Sequence, residues 1–278
     1  MSTIALMGAG GKMGMRITRN MREHPDYTTL YVEVSEAGKA SLAELGLSVT
    51  PQDEAIKQAD VVILAVPDAL IGKIGADLVP KLNSGTMVMG LDPAAGYAGV
   101  LPRRSDITYF ISHPCHPPLF GGETDPEAMR DWFGGVKAKQ NIVCSLHQGP
   151  EGDYAKGEAI ARAMFAPVMR AHRLTTEQMA ILEPALVETL ALTCFTVIRE
   201  AMDEVIRMGV PKQAVVDFLL GHIRTTLAIV FDFAGAPASD GAKLAVSQAK
   251  GQIFQPDWKR ILEIENIKRS VKSITHAL

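Results

Sequence analysis

The chain has 278 residues, a length that suggests about two domains and is sufficient to bury a substantial hydrophobic core. Hydrophobic residues make up 47% and charged residues 21%, the formal net charge is −3, and Lys and Arg are spread without a basic block, which argues against a nucleic-acid-binding protein. Three cysteines without a C-x-x-C pair predict a reduced, cytoplasmic protein, and we expect neither a signal peptide nor an apolar run of membrane-spanning length.

The first predicted element is an apolar strand, residues 4–7, which leads through a glycine-rich turn into a helix. The turn follows a G-x-x-G-x-x-G pattern, because Met13 occupies the third glycine position of G-x-G-x-x-G. Small residues let the backbone approach a dinucleotide pyrophosphate, and the helix N-terminus offers unpaired N–H groups to its charge. We therefore expect cofactor contacts from the whole turn: Gly8, Gly10, Gly11, Lys12, Met13 and Gly14.

Glu33 ends a second predicted strand, residues 28–34, which follows the first helix. An acidic side chain at this position accepts hydrogen bonds from the ribose hydroxyls and repels a 2′-phosphate. The sequence therefore predicts NAD rather than NADP as the cofactor. The competing interpretation is a plain βαβ turn with a solvated Glu33.

Alternating strands and helices continue through the first half of the chain. Residues 61–66 are uniformly apolar, which indicates a central parallel strand covered on both faces. Pro67 ends this strand, and Asp68 either caps the next helix or borders the cofactor. The pattern predicts an α/β fold with a Rossmann-type doubly wound sheet. The remaining strands are predicted at residues 86–91, 107–111, 141–146 and 168–172.

From Thr175 onward the pattern is helical. Thr175 and Gln178 predict a capping box, Pro184 interrupts the helix that follows, and Pro211 starts another long helix. No strand pattern appears after this point. We expect residues 1–174 to form the NAD-binding Rossmann domain and residues 175–278 to form an all-helical domain for substrate binding and dimerisation.

The stretch that follows strand 107–111 is rich in proline and carries two histidines and a thiol. His113 is a candidate general acid or base, and His113 and His116 are candidate ligands of a divalent metal together with a carboxylate. The alternative is that both histidines only hold a rigid turn. Cys115 is a candidate nucleophile for acyl transfer, although a bystander thiol is the favoured interpretation.

Glu183 is the candidate acid in the helical part of the chain. It precedes Pro184 in an apolar neighbourhood, where an unpartnered carboxylate is costly to bury, and a bend there would aim it into a cleft between the domains. Glu177 and Glu188 are interpreted as solvated surface charges. His222 lies among apolar residues and is interpreted as a core histidine, with a place in the cleft as the alternative.

The glycine-rich start, the segment from His113 to Phe120, and Thr175-Thr176-Glu177-Gln178 running into Leu182-Glu183-Pro184 resemble the D-apionate oxidoisomerase family. The resemblance spans the whole chain. It implies an NAD-dependent enzyme with a phosphogluconate-dehydrogenase-like C-terminal domain that converts the branched sugar acid D-apionate to 3-oxo-isoapionate.

This resemblance suggests roles for the candidate residues. His113 would assist removal of a hydroxyl proton during hydride transfer, and a divalent cation would assist the α-ketol shift that follows. His113 with Glu183, joined by His116 in one version, would hold the cation, and a histidine that holds the metal is not free to act as the base. The implied cofactors are NAD and Mg²⁺, Mn²⁺, Ca²⁺ or Zn²⁺.

Three other functions remain open from the sequence. A prephenate- or arogenate-type dehydrogenase has a histidine loop similar to residues 116–121, and a semialdehyde dehydrogenase would use Cys115. The third is a non-catalytic NAD-sensing module. In every case we expect a small-molecule ligand, no nucleic acid or membrane partner, and a homodimer formed through the helical domain.

Overall fold

The computed structural model describes residues 1–276. These residues form two compact units. The first contains Met1–Glu183 together with the C-terminal segment from Lys268, and the second contains Pro184–Ile267. The predicted functional division at residues 174 and 175 stays a prediction. The secondary structure does change from strand to helix there, whereas the compact units divide later, inside a helix.

One seven-stranded sheet organises the first unit, with the strand order β2-β1-β3-β4-β5-β6-β7. The first five strands run parallel to one another, β6 is antiparallel to β5, and β7 is parallel to β6. This topology confirms the predicted Rossmann-type α/β fold. The strands are β1 (Ser2–Met7), β2 (Tyr27–Val32), β3 (Val61–Leu64), β4 (Met87–Gly90), β5 (Thr108–Pro114), β6 (Gln140–Gln148) and β7 (Val168–Arg173).

Both faces of this sheet are buried. Successive side chains of a strand point to opposite faces, so each of the five parallel strands contributes to both hydrophobic clusters. In β1, Ile4 and Leu6 join one hydrophobic cluster, and Ala5 and Met7 join the other. Helices cover the two faces. They are α1 (Gly14–Met21), α2 (Glu36–Ala43), α3 (Gln52–Gln58), α4 (Asp68–Leu78), α5 (Ala94–Tyr97), α6 (Asp153–Met164) and α7 (Thr176–Ala180), with short 3₁₀ turns at Val79–Lys81 and Ala128–Arg130.

Three local predictions need correction. β5 continues through Pro114, because it pairs with β6 as far as Pro114↔Ile142, so His113 lies in a strand rather than in a loop. β2 ends one residue before Glu33. Asp68 does not cap α4, because the helix begins at Asp68 itself and Pro67 occupies the cap position without a side-chain hydrogen bond.

The helical half begins as predicted. Thr175 and Gln178 form a reciprocal capping box at the start of α7. The chain then becomes π-helical over Ile181–Leu192, the segment that contains Pro184. Within residues 1–276 no strand follows β7. The further helices are α8 (Thr193–Arg207), α9 (Lys212–Val230), α10 (Asp240–Ile253) and α11 (Ile264–Thr275), with a 3₁₀ turn at Trp258–Leu262.

The second unit exposes much of its apolar surface. Neither α8 nor α10 has a buried residue, and α9 has one, Val215. The helical stretches Thr176–Arg207 and Lys212–Val230 are long and apolar enough to span a membrane by length and composition. The expectation that no such run exists was therefore wrong. The same test is passed by helices that soluble proteins bury.

Candidate active site and cofactor-binding turn

The glycine turn between β1 and α1 has the shape that a pyrophosphate requires. Gly8 adopts φ +71°, and a Cβ there would lie 2.5 Å from the carbonyl oxygen of Ala65. A Cβ at Gly10 would collide with the backbone of Gly38. No side chain caps the N-terminus of α1, although the amides of Met15 and Arg16 donate to the carbonyl oxygens of Gly11 and Met13 at 2.8 and 3.1 Å. The turn therefore fits a dinucleotide.

Glu33 lies directly after β2 and is only 9% exposed. Its Oε2 accepts a hydrogen bond from the amide of Gly10 at 2.9 Å, and its Oε1 accepts from the amides of Val34 and Ser35 at 2.9 Å each and from the Ser35 hydroxyl at 3.0 Å. Burial alone would raise the pKa of this carboxyl, but the four donors outweigh it and the pKa is lowered. Glu33 is thus a fixed negative charge that also ties the glycine turn to the end of β2.

His113 sits near the carboxyl end of β5, the end of a parallel sheet where ligands bind. Its Nδ1 is 2.7 Å from the carbonyl oxygen of Leu91, which follows β4. A carbonyl can only accept, so Nδ1 carries the proton and a neutral ring presents a lone pair at Nε2. Nε2 is buried and has no hydrogen-bond partner.

Glu183 provides the charge that faces this ring. Its Oε2 lies 3.5 Å from Nε2 of His113, an ion-pair distance without hydrogen-bond geometry. Burial opposes the charged imidazole, but Glu183, and with it Asp92, raises the pKa of His113 to about 9. In return, the pKa of Glu183 is lowered, although burial would raise it. The predicted meeting of His113 and Glu183 is therefore present within the first unit.

Asp92 is a site residue that the sequence reasoning did not select. It follows β4, its Oδ1 accepts from the amide of Ala94 at 2.7 Å, and its Oδ2 lies 3.8 Å from Nδ1 of His113. Burial raises the pKa of Asp92. Burial and the charge of Asp92 raise the pKa of Asp68 to about 6. An aspartate directly after a central strand was the available signal.

A divalent cation fits the His113–Glu183 pair as an incomplete ligand set. An unpartnered imidazole nitrogen and a carboxylate oxygen are both metal donors, and the hydrogen bond from Nδ1 to the Leu91 carbonyl is the support typical of a ligating histidine. In the part of the chain that the structure describes, no three His, Cys, Asp or Glu side chains are grouped to hold a metal. Substrate oxygens and water would have to complete the coordination.

Two sequence comparisons decide the family. A D-apionate oxidoisomerase from Cupriavidus necator is 51% identical over 273 residues, which is 98% of this chain and 99% of that protein. Another from Rhizobium rhizogenes is 50% identical over 276 residues, 99% of this chain and 100% of that protein. The chain belongs to the D-apionate oxidoisomerase family.

Family models and a solved structure agree with this assignment. Residues 121–275 match the C-terminal domain of decarboxylating phosphogluconate dehydrogenase, and residues 1–98 match the NADPH-binding domain of acetohydroxy acid isomeroreductase. A crystal structure of a semialdehyde dehydrogenase NAD-binding protein from Cupriavidus necator, in complex with calcium and NAD, is 50% identical with a TM-score of 0.96, and the alignment covers 99% of this chain and 100% of that one. The fold of this chain therefore matches that of the NAD-binding protein over nearly its whole length.

His116, Cys115 and His222 are the other residues that the sequence analysis singled out. His116 lies at φ 59°, with Nδ1 2.9 Å from the carbonyl oxygen of Phe133, and its ring centroid is 6.1 Å from that of His113. Cys115 is an exposed residue, but partial loss of hydration around its sulfur, together with the charge of Glu183, raises the pKa of its thiol. His222 was predicted to be a core residue, but it is exposed and stacked on Phe218.

Proposed function

We propose that this protein is an NAD-dependent D-apionate oxidoisomerase of the cytoplasm, which oxidises the branched sugar acid and rearranges the resulting ketone to 3-oxo-isoapionate. The observation that supports this most strongly is the buried Nε2 of His113, which has no hydrogen-bond partner and faces Glu183 at 3.5 Å. The names and cofactors of the similar proteins point the same way.

The chain's own residues set the direction of proton transfer. The Leu91 carbonyl fixes the proton on Nδ1 of His113, so Nε2 is the atom that meets a substrate hydroxyl. Because the pKa of His113 is raised to about 9, the ring of the free protein is protonated at neutral pH. If Glu183 is engaged by another cation, the charge that raises the pKa of His113 is offset, the pKa falls, and Nε2 can act as a base.

The bound groups would supply what side chains lack: NAD would be the hydride acceptor, and a divalent cation bound by Glu183 and substrate oxygens would be the Lewis acid for the ketol rearrangement, which leaves Nε2 of His113 as the base. Glu33 would accept hydrogen bonds from the ribose, and the glycine turn, Lys12 and Met13 would line the pyrophosphate. Asp68 would border the nicotinamide end, on the support that the charge of Asp92, which lies beside His113, raises the pKa of the Asp68 carboxyl.

The thiol route of a semialdehyde dehydrogenase is less well supported. A nucleophilic cysteine needs a lowered pKa, whereas the pKa of Cys115 is raised. We expect Cys115→Ser to keep its turnover of D-apionate. A loss of turnover in that variant alone would restore the thiol mechanism.

The function is tested by following NADH formation from purified protein and D-apionate. We expect NADH to form from NAD⁺ and D-apionate when Mg²⁺, Mn²⁺, Ca²⁺ or Zn²⁺ is added to chelator-treated protein. Little NADPH should form when NADP⁺ replaces NAD⁺. An unbranched aldonate is the matched control, because it has the carboxylate but no tertiary alcohol to rearrange. If D-apionate gives no NADH with any of these cations, while NAD still binds, the non-catalytic NAD-sensing function is favoured.

We further propose that the second unit forms a homodimer. The helices α8 and α9 leave an open apolar groove of about 600 Å³, lined by residues that include Val205, Phe218 and His222. Phe218 and Val205 are exposed, as are Phe231 and Phe233. An exposed apolar area of this kind is typical of a surface that a partner covers, and a second copy offers the same apolar helices.

Light scattering on the purified chain tests this assembly. We expect a dimer for the wild type and a shift toward monomer for Phe218→Glu, because a charge would be buried in the interface. Arg224→Glu, on the same helix, is the control. A wild-type monomer, or recovery of the protein in the membrane fraction only, would contradict the proposed soluble homodimer.

A further inference from the structure

A pair of cationic side chains, Lys12 and Arg16, lies beside the glycine turn, and Arg16 stands outside the glycine motif. The loop between β5 and β6 brings Phe133 to the start of α1. The guanidinium carbon of Arg16 lies 4.1 Å from the centre of the Phe133 ring, and Nζ of Lys12 lies 5.2 Å from the same centre. One aromatic ring therefore holds two like charges close together.

The loop that carries Phe133 is held firmly in this position. Oδ2 of Asp131 accepts hydrogen bonds from the amides of Val136, Lys137 and Ala138 at 3.0, 2.9 and 3.1 Å. Gly134 adopts φ +71°, and a Cβ there would lie 2.6 Å from the side chain of Gln140. The carbonyl of Phe133 also lies 2.9 Å from Nδ1 of a histidine, His116. The backbone that carries Phe133 is thus held in place, and the ring forms a platform for the two cations.

The charges on this platform are poorly balanced. Lys12 and Arg16 stand at the N-terminal end of α1, where the helix dipole is positive and disfavours further cations. Asp131 is the acid that acts on Arg16, but its Oδ2 already receives three amide hydrogens. Burial lowers the pKa of Arg16 and Asp131 opposes this, so the guanidinium is partly desolvated. An anion at the end of α1 would relieve this repulsion.

We propose that Arg16, with Lys12, binds the cofactor pyrophosphate, and that Phe133 is a positioning residue that holds the guanidinium over the glycine turn. This inference rests on the proposed NAD dependence. A guanidinium offers a planar fork of donors to phosphate oxygens, and stacking on a ring limits the rotamers that binding would otherwise have to order. The helix amides and the side-chain fork would then contact the same anion.

The test is the affinity of the purified full-length protein for NAD and for ADP-ribose, measured by calorimetry. ADP-ribose contains the pyrophosphate but no nicotinamide, and adenosine contains neither. We expect Arg16→Gln to lower the affinity for NAD and for ADP-ribose by about tenfold or more, because charge-assisted hydrogen bonds are lost. The affinity for adenosine should not change. Arg16→Lys should recover part of the lost affinity. Phe133→Leu should lower the affinity for NAD and for ADP-ribose by about threefold.

Arg19→Gln is the matched control, because it removes the same charge from the last turn of the same helix. Thermal unfolding verifies that each variant is folded, and Phe133→Leu and Arg16→Lys decide the question if Arg16→Gln does not fold. Equal affinities of the Arg16→Gln and Arg19→Gln variants for ADP-ribose would overturn the inference and leave the NAD dependence intact. A wild-type protein that binds neither NAD nor ADP-ribose would overturn both proposals.

Discussion

Two glutamates in the first unit show how differently a shielded carboxylate is held in a binding turn and in a reactive site. Glu33 receives four hydrogen bonds, three of them from backbone amides. Glu183 instead faces the imidazole of His113 at 3.5 Å, and the nitrogen opposite it has no hydrogen-bond partner. Both carboxyls have lowered pKa values, one through amide donors and the other through a nearby charge.

The difference has a functional meaning. Backbone donors cannot leave Glu33 without changing the turn, so this carboxylate is held in position before any ligand binds. The pair at His113 can separate, because each partner is a side chain and the buried Nε2 would gain a contact from a substrate or cation. We infer that affinity for NAD and chemical turnover depend on different glutamates.

The largest expected effect comes from Glu183→Gln. Loss of this carboxylate removes the charge that raises the pKa of His113 and one candidate metal donor, so we expect kcat to fall by about a hundredfold or more while the Kd for NAD stays near the wild-type value. Steady-state rates and NAD titration measure the two quantities. Glu177→Gln, on the preceding helix, is the control, and wild-type turnover without a changed metal dependence in Glu183→Gln would remove Glu183 from the site.

For Glu33→Gln, we expect the affinity for NAD to change rather than kcat. The amide nitrogen of glutamine must face a backbone N–H of Gly10, Val34 or Ser35, so a donor would meet a donor. We expect NAD affinity to fall by about tenfold and discrimination against NADP⁺ to relax. Parallel NAD and NADP⁺ titrations measure both, with Glu36→Gln on the adjoining helix as the control. An unchanged preference for NAD would refute the ribose role of Glu33.

Sequence patterns predicted the features that arise within short stretches of chain. The strand, glycine turn and helix at residues 4–21 follow local rules, and so does the capping box of Thr175 with Gln178. Glu183 was selected because a lone acid beside a proline in an apolar stretch is costly to bury, and the structure places it against His113.

Features that depend on pairing between distant segments were not predictable in this way. His113 lies in a strand because β6 pairs with β5, and no pattern near His113 shows that. Asp92 approaches His113 only because β4 and β5 are neighbours in the sheet. His222 was misplaced because apolar neighbours in sequence indicate a buried face, but do not say whether the chain itself covers that face.

Gly38→Ala tests the position of the Glu33 carboxylate, because it disturbs this side chain without removing its charge. A Cβ at Gly38 would lie 2.5 Å from the carboxyl carbon of Glu33, which its hydrogen bonds hold in place. We expect NAD affinity to fall by about fivefold, with little change in thermal stability, because alanine favours the helix by about 1 kcal/mol. Gly72→Ala is the control, since its nearest neighbours would lie at 3.5 Å or beyond. Unchanged NAD affinity would show that Glu33 can shift freely.

The smallest expected effect concerns Asp68, whose carboxyl pKa is raised from 3.8 to about 6 by burial and by Asp92. Since the folded protein binds this proton more tightly than the unfolded chain does, the Asp68 charge costs folding free energy above pH 6, and this cost disappears as the pH falls below about 4. Asp68→Asn should therefore raise the free energy of unfolding relative to wild type at neutral pH, by about 1 kcal/mol after solvent screening.

Denaturant unfolding of chelator-treated protein between pH 4 and pH 7 measures the change, with Asp26→Asn at an exposed position as the control. The favourable interaction of the ionised carboxylate with the first turn of α4 is already part of the pKa of Asp68, so its loss in the asparagine variant does not change the expected sign between pH 4 and pH 6. The decisive quantity is thus the slope. If the difference in free energy of unfolding between Asp68→Asn and wild type does not grow from pH 4 to pH 6, Asp68 is ionised in the folded protein without cost. The carboxylates around His113 would then be as well stabilised as that of Glu33.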